Sequence, residues 1–307
     1  MPILEVEDLS ISFKQYTSKW QQETLTVISG LDVVLEEGEI LAVVGASGSG
    51  KSLLAHAILG ILPGNAIQSG TIKYKGETLT SARQEELRGS EISLIPQSVN
   101  YLDPLMRVGK QVRASAKSGD PVTLQRDVFE QLHLQEGVEN LYPFQLSGGM
   151  ARRTLLSTAM VSGAKVIIAD EPTPGLDPVV IKEALKNFRA FADQGCAVML
   201  ITHDIESALT IADKIAVFYA GTTMEIAPVE NFKGKGEALR HPYSKALWNA
   251  LPQNGFTPIP GSQPQSNALP PGCLFAPRCP IATPACGEAR PEMRELRDGK
   301  VRCIHED

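Results

Sequence analysis

Residues 39–62 read EILAVVGASGSGKSLLAHAILGIL, and a chain carrying this stretch has little freedom but to fold around it. Five of its first six residues are apolar, a loop from Gly45 to Ser52 follows, and an apolar-rich run then continues without a breaker to Gly60. The order is buried strand, tight loop, helix. A glycine-rich loop in that position turns consecutive backbone N–H groups inward around a phosphate, at the positive end of the helix dipole. Gly45, Ala46, Ser47, Gly48, Ser49, Gly50, Lys51 and Ser52 match G-x-x-x-x-G-K-[ST] completely. Lys51 supplies a cation for the β- and γ-phosphates and Ser52 a hydroxyl for Mg²⁺. A plain connecting turn would need neither residue, so the stretch reads as a nucleoside triphosphate site.

Composition limits what surrounds it. The chain has 307 residues, 43% of them hydrophobic, enough for one large domain or a large one with an appendage. Lys and Arg number 29 against 35 Asp and Glu, a net charge of −6, with no basic run that could track a phosphate backbone. Nucleic acid is therefore not an expected partner. No apolar stretch approaches the ~20 residues of a membrane-spanning helix, and MPILEVEDLS lacks the basic and apolar regions of a secretory leader. A cytoplasmic chain is expected. Four of its five cysteines fall between Cys273 and Cys303, which in a reducing compartment points to a metal or cluster before disulfides. Cys196, far from the others, reads as a small core residue.

Ile3 to Phe13 alternates like a strand with one buried face. Phe13 or Tyr16 at its end is placed to stack on a purine, although packing on its own sheet remains open for each. Thr24 to Glu36 reads as further strand, and Ser69 to Leu79 as a hairpin around Gly76. Glu91 to Pro96 is a short strand delivering Gln97 at its C-terminal end, where ligands gather in a parallel sheet. From Asp103 to Phe144 the pattern turns helical and more polar, as an inserted helical lobe would.

Leu146-Ser147-Gly148-Gly149-Met150 then opens a helix with a good N-cap and two glycines, again an anion-binding arrangement. Lys165 to Glu171 is a hydrophobic strand ending in two acids. That places Asp170 near Mg²⁺ and Glu171 near an attacking water. Asp177 leads into a helix with apolar positions through Ala192. Cys196 to Thr202 is another buried strand, delivering His203 as a γ-phosphate contact.

GASGSGKS, Gln97, LSGGM, VIIADE, PGLD and His203, spread over residues 3 to about 230, together resemble the nucleotide-binding subunits of ATP-binding cassette (ABC) transporters. The most specific element is LSGG between the phosphate loop and the acidic strand. The resemblance implies an α/β P-loop NTPase with an antiparallel β subdomain and an inserted helical subdomain. It also implies a head-to-tail dimer in which each ATP lies between one subunit's phosphate loop and the other's signature segment. On that basis Glu171 polarises water, His203 senses the γ-phosphate, Gln97 links Mg²⁺ to the helical lobe, Asp170 holds the metal through water, and Ser147, Gly148 and Gly149 serve the partner's ATP. Met150 stands where many members have Gln, and Pro174 where Ser or Thr is usual. Both departures fit a heterodimer with unlike sites.

Beyond residue 230 the chain carries His241-Pro242-Tyr243, then six prolines and three glycines between Pro252 and Gly272, an extended linker. The segment after it holds Cys273, Cys279, Cys286 and Cys303 and is too small and proline-rich to fold on apolar burial alone, so a metal centre is expected. The wide spacing suits a cubane cluster better than zinc, which favours C-x₂₋₄-C pairs. Zinc and disulfides remain alternatives.

The HPY segment, linker and cysteine tail resemble the ATPase subunits of the dipeptide, oligopeptide and nickel import group, whose four-cysteine tails carry a [4Fe–4S] cluster. That implies a peripheral subunit at the cytoplasmic face of the cell membrane. A second homologous ATPase subunit, two permease subunits and an extracytoplasmic substrate-binding protein would complete the complex. Peptide import is the expected activity, with nickel or metal-chelator import as the alternative. ABC ATPases that act on nucleic acid or ribosomes would show coiled-coil insertions, tandem cassettes or basic surface, none of which the sequence has. The expected layout is a nucleotide-binding domain over 1–232, with its helical subdomain at about 103–160, a helix and linker over 233–272, and a cluster-binding tail over 273–307 tethered away from the ATP site.

Overall fold

The computed structural model describes residues 2–16 and 22–305. Two long antiparallel strands open the chain, β1 (Pro2–Tyr16) and β2 (Gln22–Glu36). Their apolar residues, among them Leu4, Val6, Leu9, Ile28, Leu31 and Val33, are buried, as period-two alternation over one face requires. β3 (Ile40–Gly45) is buried at every position because it is covered on both faces. It feeds the phosphate loop and then α1 (Lys51–Leu59). β4 (Ala66–Tyr74) and β5 (Glu77–Thr78) form the hairpin expected around Gly76, and β4 pairs with β1 in a four-stranded sheet ordered β2-β1-β4-β5.

α2 (Ser81–Leu87), capped by Thr80, leads to β6 (Ile92–Ile95). The helical lobe follows as α3 (Val108–Ser115), α4 (Pro121–Gln131) and α5 (Gly148–Met160). Asp120 caps α4 ahead of Pro121, whose fixed φ suits a helix's first position. Val108, Val112, Val128, Phe129 and Leu132 turn inward and join the lobe to the main core. β7 (Val166–Asp170), α6 (Pro178–Asp193), β8 (Ala197–Thr202), α7 (Ile205–Ile211), β9 (Lys214–Tyr219) and β10 (Thr222–Pro228) complete the cassette. Five strands run parallel in the order β9-β3-β8-β7-β6. Their C-terminal ends share one edge of the sheet, and that edge collects Gly45, Gln97, Glu171 and His203.

The C-terminal residues depart from expectation. α8 (Pro242–Asn249) follows His241, whose Nδ1 accepts the Tyr243 N–H at 3.0 Å. Beyond the linker come a short α9 (Ala285–Glu288) and a hairpin of β11 (Arg294–Leu296) and β12 (Gly299–Val301). β12 pairs with β10, and the sheet has eight strands, in the order β11-β12-β10-β9-β3-β8-β7-β6. Leu274 and Phe275, each 1% exposed, lie in the same core as Tyr219 and Tyr243. The tail is held by strand pairing and apolar burial on the cassette, so it does not need a metal centre to fold.

This corrects the expectation of a cluster. Among the described residues no group of three or more His, Cys, Asp or Glu side chains is arranged to hold a metal ion, which removes both the [4Fe–4S] cluster and the zinc alternative. Cys273, Cys279, Cys286 and Cys303 border, with His241 and His305, a space of about 10 Å³, the size of a single water. Burial pushes the Cys273 and Cys279 thiols above their ordinary pKa. The cysteines are not disulfide-bonded. Cys196 is buried as expected, its thiol pushed up to about 11 by desolvation.

Candidate nucleotide site

The phosphate loop is shaped by two glycines that no other residue could replace. A Cβ on Gly45 would lie 2.4 Å from the Phe218 carbonyl oxygen. Gly50 sits at φ 92°, and a Cβ there would lie 2.9 Å from Ile28 Cγ1. α1 starts at Gly50 with no side-chain cap, so its first N–H groups are left to face whatever the loop encloses. Lys51, 8% exposed, folds back over the loop and donates from Nζ to the carbonyls of Gly45 at 2.9 Å and Ala46 at 3.1 Å. Burial lowers its pKa, opposed by the charges of Glu171 and Asp170. The loop borders a cleft of about 470 Å³, lined also by Gln97, Glu171, His203 and Val27.

The two acids are held differently. Asp170 ends β7, 4% exposed, with its carboxyl pKa raised by burial while the Ser52 hydroxyl hydrogen-bonds it. Its Oδ1 is buried without a hydrogen-bond partner, as is the Ser49 hydroxyl. A carboxylate oxygen left unpaired beside a hydroxyl and a lysine is the donor set an Mg²⁺-bound phosphate needs, so the residues fit that ion. Glu171 leaves the strand with its N–H donating to Ile201 O at 2.8 Å, then turns at φ 47°. That left-handed conformation is uncommon for a residue with a side chain and swings the carboxylate out of the sheet toward the cleft. Both carboxylate oxygens lie 2.9 Å from His203 Nδ1. The His203 side chain is 67% exposed at the mouth of the cleft.

Three contributors escape sequence reasoning. Thr202 is 1% exposed, accepts the Asp204 N–H at 3.0 Å and lies 3.5 Å from Glu171 Oε2. Arg152, on α5, donates to the Glu171 carbonyl at 3.1 Å and so ties the signature helix to the acid. Val27 comes from β2, far from any motif. A threonine before His203 and an arginine after LSGGM are visible in sequence, but nothing there pairs them with Glu171.

Other singled-out residues lie elsewhere. Phe13 is half-buried against the antiparallel sheet's core and does not line the cleft, where Val27 stands instead. The side chain of Tyr16 lies outside the described residues. Ser147 and Gly148 are exposed and Gly149 half-buried at the start of α5, away from the cleft. There Ser147 Oγ accepts the Met150 N–H at 3.3 Å. Pro174 precedes Asp177, whose Oδ1 caps α6 by accepting from Val179 and Val180 at 3.1 Å.

Residues 28–174 match the ABC transporter family, and residues 224–286 match the C-terminal region of oligopeptide/dipeptide transporters. The oligopeptide transport ATP-binding protein OppD of Escherichia coli (strain K12) is 33% identical over 318 residues, covering 98% of this chain and 92% of that protein. The oligopeptide transport ATP-binding protein AppD of Bacillus subtilis (strain 168) is 32% identical over 326 residues, covering 98% and 96%. A dimeric bacterial ABC transporter cassette superposes with a TM-score of 0.65 at 22% identity, over 75% of this chain and 99% of that one, and shares the fold.

Proposed function

The chain belongs to the family of ABC transporter ATP-binding subunits, and from that premise we propose that it is the ATP-hydrolysing subunit of a membrane importer of peptides. The observation that carries the reading is the buried carboxylate of Glu171, which lines the phosphate-loop cleft and is held 2.9 Å from His203 Nδ1. Phosphoryl transfer needs little covalent help from a protein and depends on positioning and electrostatics. In this reading the loop N–H groups and Lys51 hold the phosphates and His203 contacts the γ-phosphate. Glu171 orients the attacking water. Ser52, Asp170 and Gln97 would hold Mg²⁺, which when bound supplies charge neutralisation at the β- and γ-phosphates. Ser147, Gly148 and Gly149, turned away from their own cleft, serve the ATP of a second, homologous ATPase subunit.

The peptide cargo rests on the relatives being oligopeptide transport proteins, which favours it over nickel or a metal chelate. Their description as transport proteins supports permease and substrate-binding partners. Among the described residues no helix is long and apolar enough to cross a membrane, which fits a peripheral subunit seated on a permease at the cytoplasmic face. Co-expression with candidate permeases and reconstitution in proteoliposomes tests the reading. ATP hydrolysis should rise when peptide-loaded binding protein is supplied, and a rate indifferent to peptide would count against it.

A further inference from the structure

The C-terminal segment makes a dense set of polar contacts on one short stretch of β2. There the β1–β2 register slips: Leu9 pairs with Leu31 and Ile11 with Ile28, so Ser29 and Gly30 together oppose Ser10. Such a bulge takes backbone groups out of the ladder and re-aims the neighbouring side chains. The carbonyls it frees are claimed from outside the sheet. Arg290 Nη1 donates to Ser29 O at 2.8 Å and to Ser29 Oγ at 2.6 Å. Arg302 Nη2 donates to Gly30 O at 2.8 Å and pairs with the Asp32 carboxylate. The same guanidinium reaches Thr223 O at 3.1 Å and Pro291 O at 3.0 Å, linking bulge, β10 and tail.

Immediately before the bulge lie Val27, which lines the nucleotide cleft, and Ile28, which packs on Gly50 of the phosphate loop. We propose that Arg290 and Arg302 are positioning residues for the nucleotide site, holding the Ser29–Gly30 bulge so that Val27 lines the cleft and Ile28 backs the phosphate loop at Gly50. The proposal rests on reading the cleft as the ATP site. A second contact from the C-terminal region acts on the loop itself. Tyr243, whose ring centroid lies 5.3 Å from that of Phe275 and 4.4 Å from that of Tyr219, presents its hydroxyl to the Ala46 N–H. Wall and floor of the cleft are both braced by residues beyond the cassette.

The test is a fluorescence titration of the full chain with mant-ATP, alongside thermal melts. Arg290→Ala should weaken mant-ATP binding about three- to tenfold, the effect of losing a charged hydrogen-bond donor to Ser29, two residues from Val27 of the cleft lining. Arg290→Lys, which keeps a donor and its charge, should return affinity to within about twofold of wild type. Combined with Val27→Ala, Arg290→Ala should add nothing, because both act through the same wall. Ser29→Ala, a milder change that removes only the hydroxyl acceptor, should weaken binding in the same direction and keeps the test alive if Arg290→Ala fails to fold. Wild-type affinity in Arg290→Ala, or effects of Arg290 and Val27 that simply add, would overturn the positioning role. If instead the wild-type chain ignored mant-ATP, or Lys51→Ala bound it normally, the reading of the cleft itself would fall.

Discussion

The chain carries the same local device twice, glycines at the start of a helix, and the two copies differ in everything around them. At Gly50 the helix is uncapped, and its free N–H groups are enclosed with Lys51, a buried Asp170 and the Glu171–His203 pair. At Ser147 the helix is capped by its own serine, and Ser147 and Gly148 face solvent with no acid or lysine of the cleft beside them. One encloses a cleft and the other is an exposed surface; on the function proposed above, the second half serves the ATP of another subunit.

The comparison can be broken at its stronger half first. Glu171→Gln keeps the shape but removes the charge proposed to align water, and should cut hydrolysis in the assembled transporter by about 10³-fold while leaving ATP binding in place. Wild-type turnover in that variant would show that Glu171 does not belong to the chemistry.

Gly149→Asp tests the other half. It places a negative charge where the proposed partner's phosphates would dock and should lower hydrolysis by about 10²-fold. Mant-ATP affinity of the isolated chain should not change. Equal loss of binding and hydrolysis would mean that the signature segment serves its own subunit's cleft.

Lys51→Ala removes the cation of the phosphate loop. A charge-assisted contact of about 1.5–3 kcal/mol corresponds to roughly 10- to 100-fold weaker nucleotide binding. Titration of the isolated chain should show that loss, with the melting temperature without nucleotide nearly unchanged.

The smallest effect lies behind the loop, in the pH dependence of stability. His241, 1% exposed, accepts the Tyr243 N–H through Nδ1, donates its backbone N–H to the Glu225 carboxylate, and faces the cysteines and His305. Desolvation lowers its pKa from 6.5 to about 3. A group depressed in this way stabilises the fold fully above its unfolded pKa and progressively less as pH falls, because the unfolded chain takes up a proton the folded one refuses. Between pH 6.5 and 5.5 this amounts to about 1 kcal/mol. Urea melts of wild type should show that slope, and His241→Gln should flatten it.

Much of the site was legible because its logic is local. The eight residues from Gly45 to Ser52, the strand ending in Asp170 and Glu171, and the strand delivering His203 each state their own conformation through glycine, apolar run or cap. Once five such strands run parallel, their ends must gather at one edge. What the sequence could not decide are the pairings across distance. Nothing local says that Arg152 reaches Glu171, that Val27 rather than Phe13 lines the cleft, or that Arg302 clamps a bulge 272 positions away at Gly30.

The tail marks the boundary most clearly. From its prolines and spaced cysteines it reads as a metal-dependent appendage on a tether, because in isolation it has too little apolar surface to fold. The tertiary structure gives it β10 to pair with and a core for Leu274 and Phe275 to enter. Sequence determines what each segment can do alone. Only the packed molecule supplies the surface that removes the need to do it alone.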